Sequence, residues 1–458
     1  MAHFDAIVIG TGQAGPPLAR RFADKGLKVA IAEGGVFGGS CVNYGCTPSK
    51  AMIGSANAIR MAQRGTDFGF KTGDITTDFT RVVERRDAII RESRDGLIKS
   101  LEQRKNITVF REYASFEGPK QVRVGSEVIE GERIYLNTGT RSAIPPIDGL
   151  DKTPYLDNVR LMGLTELPRH LIIVGAGYIG LEFALAFRRF GSEVTVIDRV
   201  DVIIEHEDQE FRDAVHHVLT SEGVRFAFNS EMAHVDYHDR EFEAQVVHKN
   251  GFKQTIKGSH LLVAVGRVPN SDKIGADKIG LALDKRGYIQ VDDHLRTNVE
   301  GVYALGDVNG RGAFTHTSYD DYQIAADNFD GGTRAISDRI MAYAMYIDPP
   351  LAHVGMSEND VRAKGLQNVL VATMQMSKVN RAKEYGQTAG LMKVLVDGNS
   401  KQFLGATLYG LYADEVIHSI LDLMYARAPY TVMMNAMHIH PTVSELLPTL
   451  LEGLKPLN

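Results

Sequence analysis

Short apolar runs that end in glycine recur along this chain of 458 residues. The first, residues 4–9, suits a buried parallel strand and runs directly into Gly10-Thr11-Gly12-Gln13-Ala14-Gly15. A helix whose apolar face carries Leu18, Ala19 and Phe22 is predicted next, followed by a second strand over residues 29–32. The pattern predicts a βαβ unit.

The glycines of this unit have the spacing of a dinucleotide fingerprint. Gly10, Gly12 and Gly15 would allow the tight turn, the close approach of a pyrophosphate and the packing of the helix. Glu33 ends the second strand, where an acid accepts a ribose hydroxyl. Glycines alone could mark an ordinary turn, but strand, helix and terminal acid all stand in place, which favours nucleotide binding.

The same pattern returns in the middle of the chain. Gly175, Gly177 and Gly180 follow the apolar residues 171–174, and the next predicted strand ends at Asp198. Eighteen residues separate Gly180 from Asp198, the same spacing as from Gly15 to Glu33. Two dinucleotide sites in one chain predict electron transfer between a tightly held flavin and an exchangeable nicotinamide.

The second site favours NADH, with NADPH left possible. Asp198 would bind the ribose hydroxyls of NAD and repel the additional phosphate of NADP, and glycine at Gly180 points the same way. Glu205 adds to the repulsion. Arg199 could instead receive that phosphate, or could be a solvated charge at the end of a strand.

Composition narrows the class of protein. Apolar residues make up 44% and charged residues 24%, which is ordinary for a globular protein. The net charge of −6, without a basic block, gives no indication of nucleic acid as a partner. No apolar run approaches the ~20 residues of a membrane span, and the N-terminus already looks like a core strand rather than a signal peptide. We therefore expect a cytoplasmic protein with no membrane partner.

The two cysteines of the chain, Cys41 and Cys46, stand five residues apart. They could be two small buried residues, and their spacing fits neither a thioredoxin-like pair nor a zinc site. A reducing compartment and the glycines around the loop favour a redox dithiol instead. Thr47 as cap and Pro48 at the first helical position predict a helix there, whose positive end would favour a thiolate at Cys46.

Together these motifs resemble the flavoprotein disulfide reductases, which include dihydrolipoamide dehydrogenase, glutathione reductase and mercuric reductase. The resemblance rests on the Cys41-to-Lys50 segment, both fingerprints, residues 304–307 and the ending His440-Pro-Thr-Val-Ser-Glu445. It implies an α/β fold with two Rossmann-like dinucleotide-binding domains, one for FAD and one for NAD, plus a C-terminal α+β dimerisation domain. The expected bounds are 1–149 for FAD binding, 150–270 for NAD(P) binding, 271–337 for a central domain and 338–458 for the dimer interface.

The resemblance also implies roles for individual residues. Cys46 would lie beside the flavin and Cys41 would attack the substrate, while Lys50 would sit near the flavin and pair with Glu182. Tyr178 resembles the aromatic gate of the nicotinamide pocket. The other cofactor contacts implied are Gly10, Gly12, Gly15, Glu33, Gly39, Lys50, Gly139, Gly306 and Asp307 for FAD, and Gly175, Gly177, Tyr178, Gly180, Asp198, Arg199 and Gly266 for NAD.

His440 and Glu445 resemble the acid–base pair that crosses the dimer interface to the partner's dithiol. Disulfide exchange needs a group that takes and returns a proton near neutral pH, which suits histidine. Glu445 could instead belong only to a capping box that begins at Thr442, and His438 is a competing histidine.

Three functional hypotheses remain open. The first is a homodimeric NADH-dependent reductase of a small disulfide. The second keeps the dithiol but reduces metal ions, quinones or oxygen, although the C-terminal tail lacks the additional cysteine pair of mercuric reductases. The third is a binding protein, not an enzyme, in which FAD is structural and which could serve as a subunit of a larger complex. A dihydrolipoamide dehydrogenase subunit of a larger complex is a further alternative. His316, in a segment that departs from the family pattern, could shape the substrate cleft or help to cap a helix. No protein-bound metal site is expected.

Overall fold

The structure is a computed structural model that describes residues 1–457. Its helices are α1 (Gly15–Asp24), α2 (Gly39–Asn43), α3 (Cys46–Gln63), α4 (Phe79–Glu102), α5 (Asn158–Leu161), α6 (Tyr178–Phe190), α7 (Gln209–Ser221), α8 (Thr315–Phe329), α9 (Glu358–Ala363), α10 (Asn380–Glu384), α11 (Ala413–Tyr425), α12 (Thr431–Met434) and α13 (Leu446–Glu452).

The strands form sheets that alternate with these helices. They are β1 (Ala2–Ile9), β2 (Val29–Ala32), β3 (Ile107–Phe110), β4 (Ala114–Gly118), β5 (Gln121–Val124), β6 (Glu127–Leu136), β7 (Thr140–Ser142), β8 (His170–Val174), β9 (Glu193–Ile197), β10 (Arg225–Ala227), β11 (Ser230–His238), β12 (Glu241–His248), β13 (Lys253–Gly258), β14 (His260–Val263), β15 (Arg267–Pro269), β16 (Val302–Ala304), β17 (Ala342–Met345), β18 (Leu351–Gly355), β19 (Val369–Gln375), β20 (Leu391–Asp397), β21 (Phe403–Tyr409) and β22 (Lys455–Pro456).

The first sheet has the strand order β3-β2-β1-β6-β5-β4, and β16 pairs with β6. Its β1, β2, β3, β6 and β16 run parallel, so their carboxyl ends share one edge. The apolar side chains of the predicted strand are buried, and Ile7 and Val8 of β1 have no exposed surface. This burial on both faces is what a continuous apolar run requires in a parallel sheet.

The second sheet, of order β10-β9-β8-β14, is entirely parallel and repeats the local geometry of the first. Gly10 has φ +103°, and a Cβ there would lie 2.2 Å from the Asn137 carbonyl oxygen. Gly175 has φ +110°, and a Cβ there would lie 2.5 Å from the Ala264 carbonyl oxygen. In both turns the backbone of a neighbouring strand passes where a side chain would be, so only glycine fits.

The C-terminal sheet, of order β17-β18-β21-β20-β19-β22, is antiparallel. Residues of α11 and α13, such as Ile420 and Leu450, pack with strand residues such as Val394 in one buried core. Parallel sheets with helices, followed by an antiparallel sheet covered by helices, confirm the predicted α/β fold with a C-terminal α+β unit. The predicted domain bounds stay predictions.

Buried ion pairs join the C-terminal sheet to the second parallel sheet. Arg189 of α6 contacts Glu222 at 2.6 Å and Asp348 at 2.7 Å, with only 3% of the arginine side chain exposed. Lys393 of β20 holds three carboxylates, Asp208, Glu210 and Glu358, at 2.5–3.0 Å. The lysine ammonium lies within reach of all three carboxylates and offsets one of their three negative charges.

One expectation about local structure is wrong. Helix α3 begins at Cys46 with Gly45 as its cap, so Thr47 and Pro48 lie within the first turn instead of starting it. Proline is tolerated there because the first-turn N–H groups have no partner inside the helix. None of the helices in residues 1–457 combines the length and the apolar character needed to cross a membrane.

Candidate active site

A single continuous cleft of about 2070 Å³ runs between the two parallel sheets. It is lined by both glycine turns and by Cys41, Cys46, Lys50, Glu182 and Asp307. Two predicted nucleotide sites and a dithiol, far apart in sequence, therefore open into the same space. Ligand binding at the carboxyl ends of parallel strands is the rule for such sheets.

The dithiol lies on two consecutive helices. Cys41 is half-buried in α2, Cys46 is solvent-accessible at the first residue of α3, and both are free thiols. A Cβ on Gly39 would lie 3.0 Å from the Gly12 Cα. The segment that carries the cysteines thus packs directly on the first glycine turn.

Thr315 is a site residue that the sequence patterns did not indicate. Its hydroxyl lies 3.1 Å from the Cys41 sulfur and 3.2 Å from the Cys46 sulfur, at the first residue of α8. From the sequence, the neighbouring His316 was expected to shape the substrate cleft or to help to cap a helix. His316 Nε2 donates to the Ala342 carbonyl oxygen at 2.6 Å, and its ring stacks on Phe314. The sequence signal that could have indicated Thr315 is a threonine at the start of a helix, in a segment that departs from the family pattern.

The two thiols have opposite electrostatic environments. The pKa of Cys46 is lowered to about 6, first by a hydrogen bond from the Cys41 S–H and then by the Thr315 hydroxyl and the charge of Lys50. The pKa of Cys41 is raised, because its S–H donates to Cys46 and because it is buried. In the reduced pair the thiolate therefore resides on Cys46, where the N-terminus of a helix also favours it.

Lys50 and Glu182 form an ion pair across the cleft, with Nζ 2.7 Å from Oε2. The other carboxylate oxygen accepts the backbone N–H of Tyr346 at 2.8 Å, and Lys50 also lies 4.7 Å from the centre of the Tyr346 ring. Only 7% of the Glu182 side chain is exposed. These contacts fix the lysine ammonium one helical turn from Cys46.

His440 and Glu445 also form a pair, at the far end of the chain. His440 Nδ1 lies 2.9 Å from Glu445 Oε2, and 71% of the imidazole is exposed. The Glu445 N–H donates to the Thr442 hydroxyl at 3.2 Å, but α13 begins at Leu446 with Glu445 as its cap. The predicted capping box that begins at Thr442 is therefore wrong, and the Glu445 carboxylate binds the histidine instead. His438 is engaged elsewhere, 3.0 Å from the Met433 carbonyl oxygen.

His440 does not line the cleft that contains its own chain's dithiol. It projects from a surface on which Met437 is 99% and Ile439 is 80% exposed. Large apolar side chains at this exposure are typical of an interface with another subunit. Of the predicted catalytic residues, the single chain thus brings together Cys41, Cys46, Lys50 and Glu182 but leaves His440 and Glu445 apart.

The first glycine turn and Asp307 offer polar groups along one wall of the cleft. Glu33 accepts hydrogen bonds from the Thr11 N–H at 2.9 Å and from the Thr11 hydroxyl at 2.7 Å. Asp307 accepts from the Thr140 hydroxyl at 2.9 Å, and burial raises its pKa. The Thr138 hydroxyl is buried and finds no hydrogen-bond partner among residues 1–457. Gly139 and Gly39 line the same wall, whereas Gly306 lies behind it against Ser318.

The second glycine turn has the corresponding acid. Asp198 accepts the Ala176 N–H at 2.6 Å and the Val200 N–H at 3.2 Å, and it faces the cleft. Arg199 is exposed beside it. Gly177, Tyr178 and Gly266 also line this side, while Gly180 packs against the Gly175 carbonyl and stays out of the cleft.

Comparison with known families decides the class of this protein. Residues 4–326 match the pyridine nucleotide-disulphide oxidoreductase family, and residues 341–451 match the dimerisation domain of that family. The chain belongs to this family. Its members are FAD-dependent enzymes that use a pyridine nucleotide, so the protein is an oxidoreductase and a flavoprotein.

Several relatives within the family are similar to this chain over 95% or more of its length. The probable pyridine nucleotide-disulfide oxidoreductase RclA of Escherichia coli is 33% identical, with 98% of each chain covered. A dihydrolipoyl dehydrogenase of Cupriavidus necator is 30% identical (97% and 96% covered), and a mercuric reductase of Lysinibacillus sphaericus is 28% identical (95% and 82% covered). A solved Cu(II) complex of the HOCl-induced flavoprotein disulfide reductase RclA aligns with a TM-score of 0.90, at 32% identity and 99% coverage of both chains.

The residues on the first wall fit the family's flavin. The glycine turn leaves room for a pyrophosphate at the start of α1, and the unpartnered Thr138 hydroxyl and the Asp307 carboxylate supply polar contacts along the cleft. Glu33 accepts two hydrogen bonds at Oε2 and one, from the Gly35 N–H, at Oε1, which leaves one lone pair on Oε1 for a ribose hydroxyl. The second wall offers the matching turn, the start of α6 and Asp198.

Proposed function

We propose that this enzyme takes electrons from NADH, passes them to the Cys41–Cys46 pair and delivers them to a small disulfide substrate. The observation that carries the proposal is the Thr315 hydroxyl within 3.2 Å of both sulfurs, inside the cleft that also holds both nucleotide turns. A hydroxyl in contact with both sulfurs keeps the two thiols close together, and its hydrogen bond stabilises a thiolate on one of them.

Bound FAD would relay two electrons between the nicotinamide and the dithiol, and the chain positions the reactants around it. Gly10, Gly12 and Gly15 would admit its pyrophosphate, Glu33 its ribose and Asp307 its ribityl chain. Lys50, fixed by Glu182, would place a positive charge beside it. Asp198 would hold the adenosine ribose of NADH and oppose the phosphate of NADPH.

The dithiol step follows from the unequal thiols. Cys41 loses its proton to His440 of the partner subunit and attacks one substrate sulfur, which breaks the substrate disulfide and forms a mixed disulfide. The departing thiolate takes the proton back from the imidazolium. The Cys46 thiolate then attacks the Cys41 sulfur, releases the second thiolate, which takes a proton from solvent, and closes the Cys41–Cys46 disulfide. One substrate disulfide becomes two thiols while the dithiol loses two electrons.

The arrangement of His440 supports a homodimer with shared active sites. The imidazole is exposed, bound at Nδ1 by Glu445, and surrounded by exposed apolar side chains. Glu445 would orient the ring and stabilise its charged form, as in other acid–base pairs. We place the enzyme in the cytoplasm, where the dithiol can be kept reduced.

A second candidate function is the reduction of a metal ion, a quinone or oxygen by the same dithiol. The specific observation is the similarity to the E. coli enzyme solved as a Cu(II) complex. Two Cu(II) ions would take one electron each as the Cys41 thiol and the Cys46 thiolate close to a disulfide and release one proton. A role as the dihydrolipoyl dehydrogenase of a larger complex is a third possibility, supported by the relatives of that name.

The test is a panel of acceptors with the purified flavoprotein. Lipoamide, glutathione disulfide, Hg(II) and Cu(II) are assayed with NADH and NADPH, for the wild type and for Cys41→Ser. We expect NADH oxidation with at least one disulfide, lost in Cys41→Ser while bound flavin is still reduced by NADH. Turnover with metal ions alone supports the second candidate, and no acceptor-dependent turnover at all overturns both.

A further inference from the structure

A buried carboxylate holds the predicted nicotinamide gate by its hydroxyl. The Tyr178 hydroxyl donates to Glu207 Oε1 at 2.6 Å, and the Tyr343 hydroxyl donates to the same oxygen at 2.8 Å. Glu207 is only 1% exposed. We call these three residues the gate clamp.

The two phenols are the side-chain partners on which Glu207 depends. Within residues 1–457, no lysine, arginine or histidine forms an ion pair with Glu207, although its neighbour Asp208 is paired with Lys393. A carboxylate out of water needs donors, and losing them costs free energy. Burial and the nearby Glu207 raise the pKa of both tyrosines, so both remain protonated donors.

The clamp lies behind the wall of the cleft. Tyr178 lines the cleft, but Glu207 and Tyr343 do not. The next residue on β17, Ala344, faces the cleft, and because successive side chains of a strand point to opposite faces, the Tyr343 side chain lies on the other face. The Tyr178 hydroxyl therefore points away from the cleft and into its wall.

Tyr343 is itself held rigidly. Its ring stacks on His353 with centroids 4.9 Å apart and on Phe314 with centroids 5.6 Å apart. Phe314 directly precedes Thr315, so the rings that brace the clamp also stand next to the residue that contacts both sulfurs. A fixed Tyr343 fixes the Glu207 oxygen to which Tyr178 binds.

We propose that Glu207 is a positioning residue that, braced by Tyr343, holds Tyr178 against the wall and keeps the nicotinamide pocket open. The inference rests on the proposed function, since it assigns this part of the cleft to the nicotinamide. Without Glu207, the Tyr178 hydroxyl at the first turn of α6 is no longer held, and the contact of its ring with that of Tyr343, with centroids 5.5 Å apart, is left to oppose rotation into the cleft. The ring then competes with the nicotinamide for the same space, and each binding event must displace it.

The experiment measures NAD⁺ binding to the oxidised holoenzyme by calorimetry, together with kcat and KM for NADH. We expect Glu207→Leu to raise the Kd for NAD⁺ about tenfold, the value of one hydrogen bond to a charged group. Glu207→Gln keeps an acceptor oxygen and should retain most of the affinity. Tyr343→Phe keeps the stacked ring and removes only the hydroxyl that donates to Glu207. It should raise the Kd by an intermediate factor, and it tests the proposal if Glu207→Leu does not fold.

A double-mutant cycle separates positioning from a general structural effect. If Glu207 acts through the Tyr178 hydroxyl, Glu207→Leu should not change the Kd further once Tyr178→Phe is present. KM for NADH should follow the Kd, while kcat at saturating NADH changes little. Tyr237→Phe, on β11 and away from the cleft, is the matched control and should bind NAD⁺ like the wild type.

The outcomes are distinct. An unchanged or lower Kd for NAD⁺ in Glu207→Leu overturns the gate clamp. If Glu207→Leu does not fold, the same result in Tyr343→Phe overturns it. It is also overturned if Glu207→Leu changes the Kd as much in the Tyr178→Phe background as in the wild type. Wild-type protein that binds neither NAD⁺ nor NADP⁺ overturns the proposed function and this inference with it. A wild type that turns over NADH with a disulfide while the Glu207 variants bind normally overturns the clamp alone.

Discussion

The Thr315 hydroxyl lies 3.2 Å from the sulfur of Cys46, although 269 residues separate the two in sequence. The same oxygen is 3.1 Å from Cys41. A hydroxyl has one proton, so it can donate to only one of the two sulfurs at a time, while the Cys41 S–H remains the donor to Cys46. The contact brings the start of helix α8 against both sulfurs of the redox pair.

Replacing Thr315 by valine should raise the pKa of Cys46. The substitution keeps the branched shape and removes the donor, which is worth about one pKa unit for a hydrogen bond to a charged group. The ultraviolet absorbance of the thiolate, followed against pH in the reduced protein, measures the change. Thr315→Ser keeps the hydroxyl and is the matched control; an identical midpoint in Thr315→Val and Thr315→Ser would contradict the assigned role.

The reduced dithiol should titrate well below an ordinary thiol. The pKa of Cys46 is lowered to about 6, compared with about 8.5 for an unperturbed cysteine, so the thiolate is present above pH 6 and is lost as the pH falls through that value. Because the largest cause is the Cys41 S–H, Cys41→Ala should move the midpoint upward. Cys41→Ser supplies an O–H donor and should move it less. Alkylation rates of the remaining thiol as a function of pH provide the measurement.

His440→Ala should abolish disulfide reduction while NADH still reduces the bound flavin. Loss of a general acid–base group costs about 10²–10⁴-fold in rate. His438→Ala is the control, because His438 is bound to a backbone carbonyl and should leave turnover intact. Metal-ion reduction that survives in His440→Ala would favour the second candidate function.

Mixing two inactive variants tests whether the active site is shared. If Cys41→Ser and His440→Ala subunits reassociate at random, half of the dimers are mixed and each contains one intact site, which restores about one quarter of wild-type activity. A site formed within one chain would give no recovery. Dissociation and reassociation of wild-type protein alone shows how much activity the procedure itself costs.

Asp198→Asn should weaken the preference for NADH over NADPH. The amide keeps an oxygen for the Ala176 N–H but removes the negative charge that repels a ribose phosphate. The positive charge of the adjacent Arg199 is then free to attract that phosphate. The ratio of kcat/KM for the two nucleotides should fall about tenfold. Asp201→Asn removes an exposed charge three residues away and should leave the ratio unchanged. A wild type that already prefers NADPH would contradict the role assigned to Asp198.

Much of the site could be predicted from the sequence because it depends on local chain geometry. Glycine turns, buried parallel strands and the acids that end them follow from short-range steric rules, so the positions of Gly10, Gly175, Glu33 and Asp198 follow from the residues around them. The start of α3 was misplaced by two residues because Thr47 and Pro48 resemble a cap, while Gly45 takes that position in the structure. The capping-box pattern at Thr442 likewise did not indicate how the Glu445 carboxylate is used.

The sequence by itself determined the fold class, the paired nucleotide turns, the dithiol and the family resemblance, since each is written in neighbouring residues. Only the tertiary structure decided which distant groups meet. Thr315 reaches the sulfurs and Glu207 reaches Tyr178 through packing between separate sheets and helices, which has no local sequence signature. His440 lies outside its own cleft for the same reason, because long-range packing, not chain proximity, sets where a side chain points.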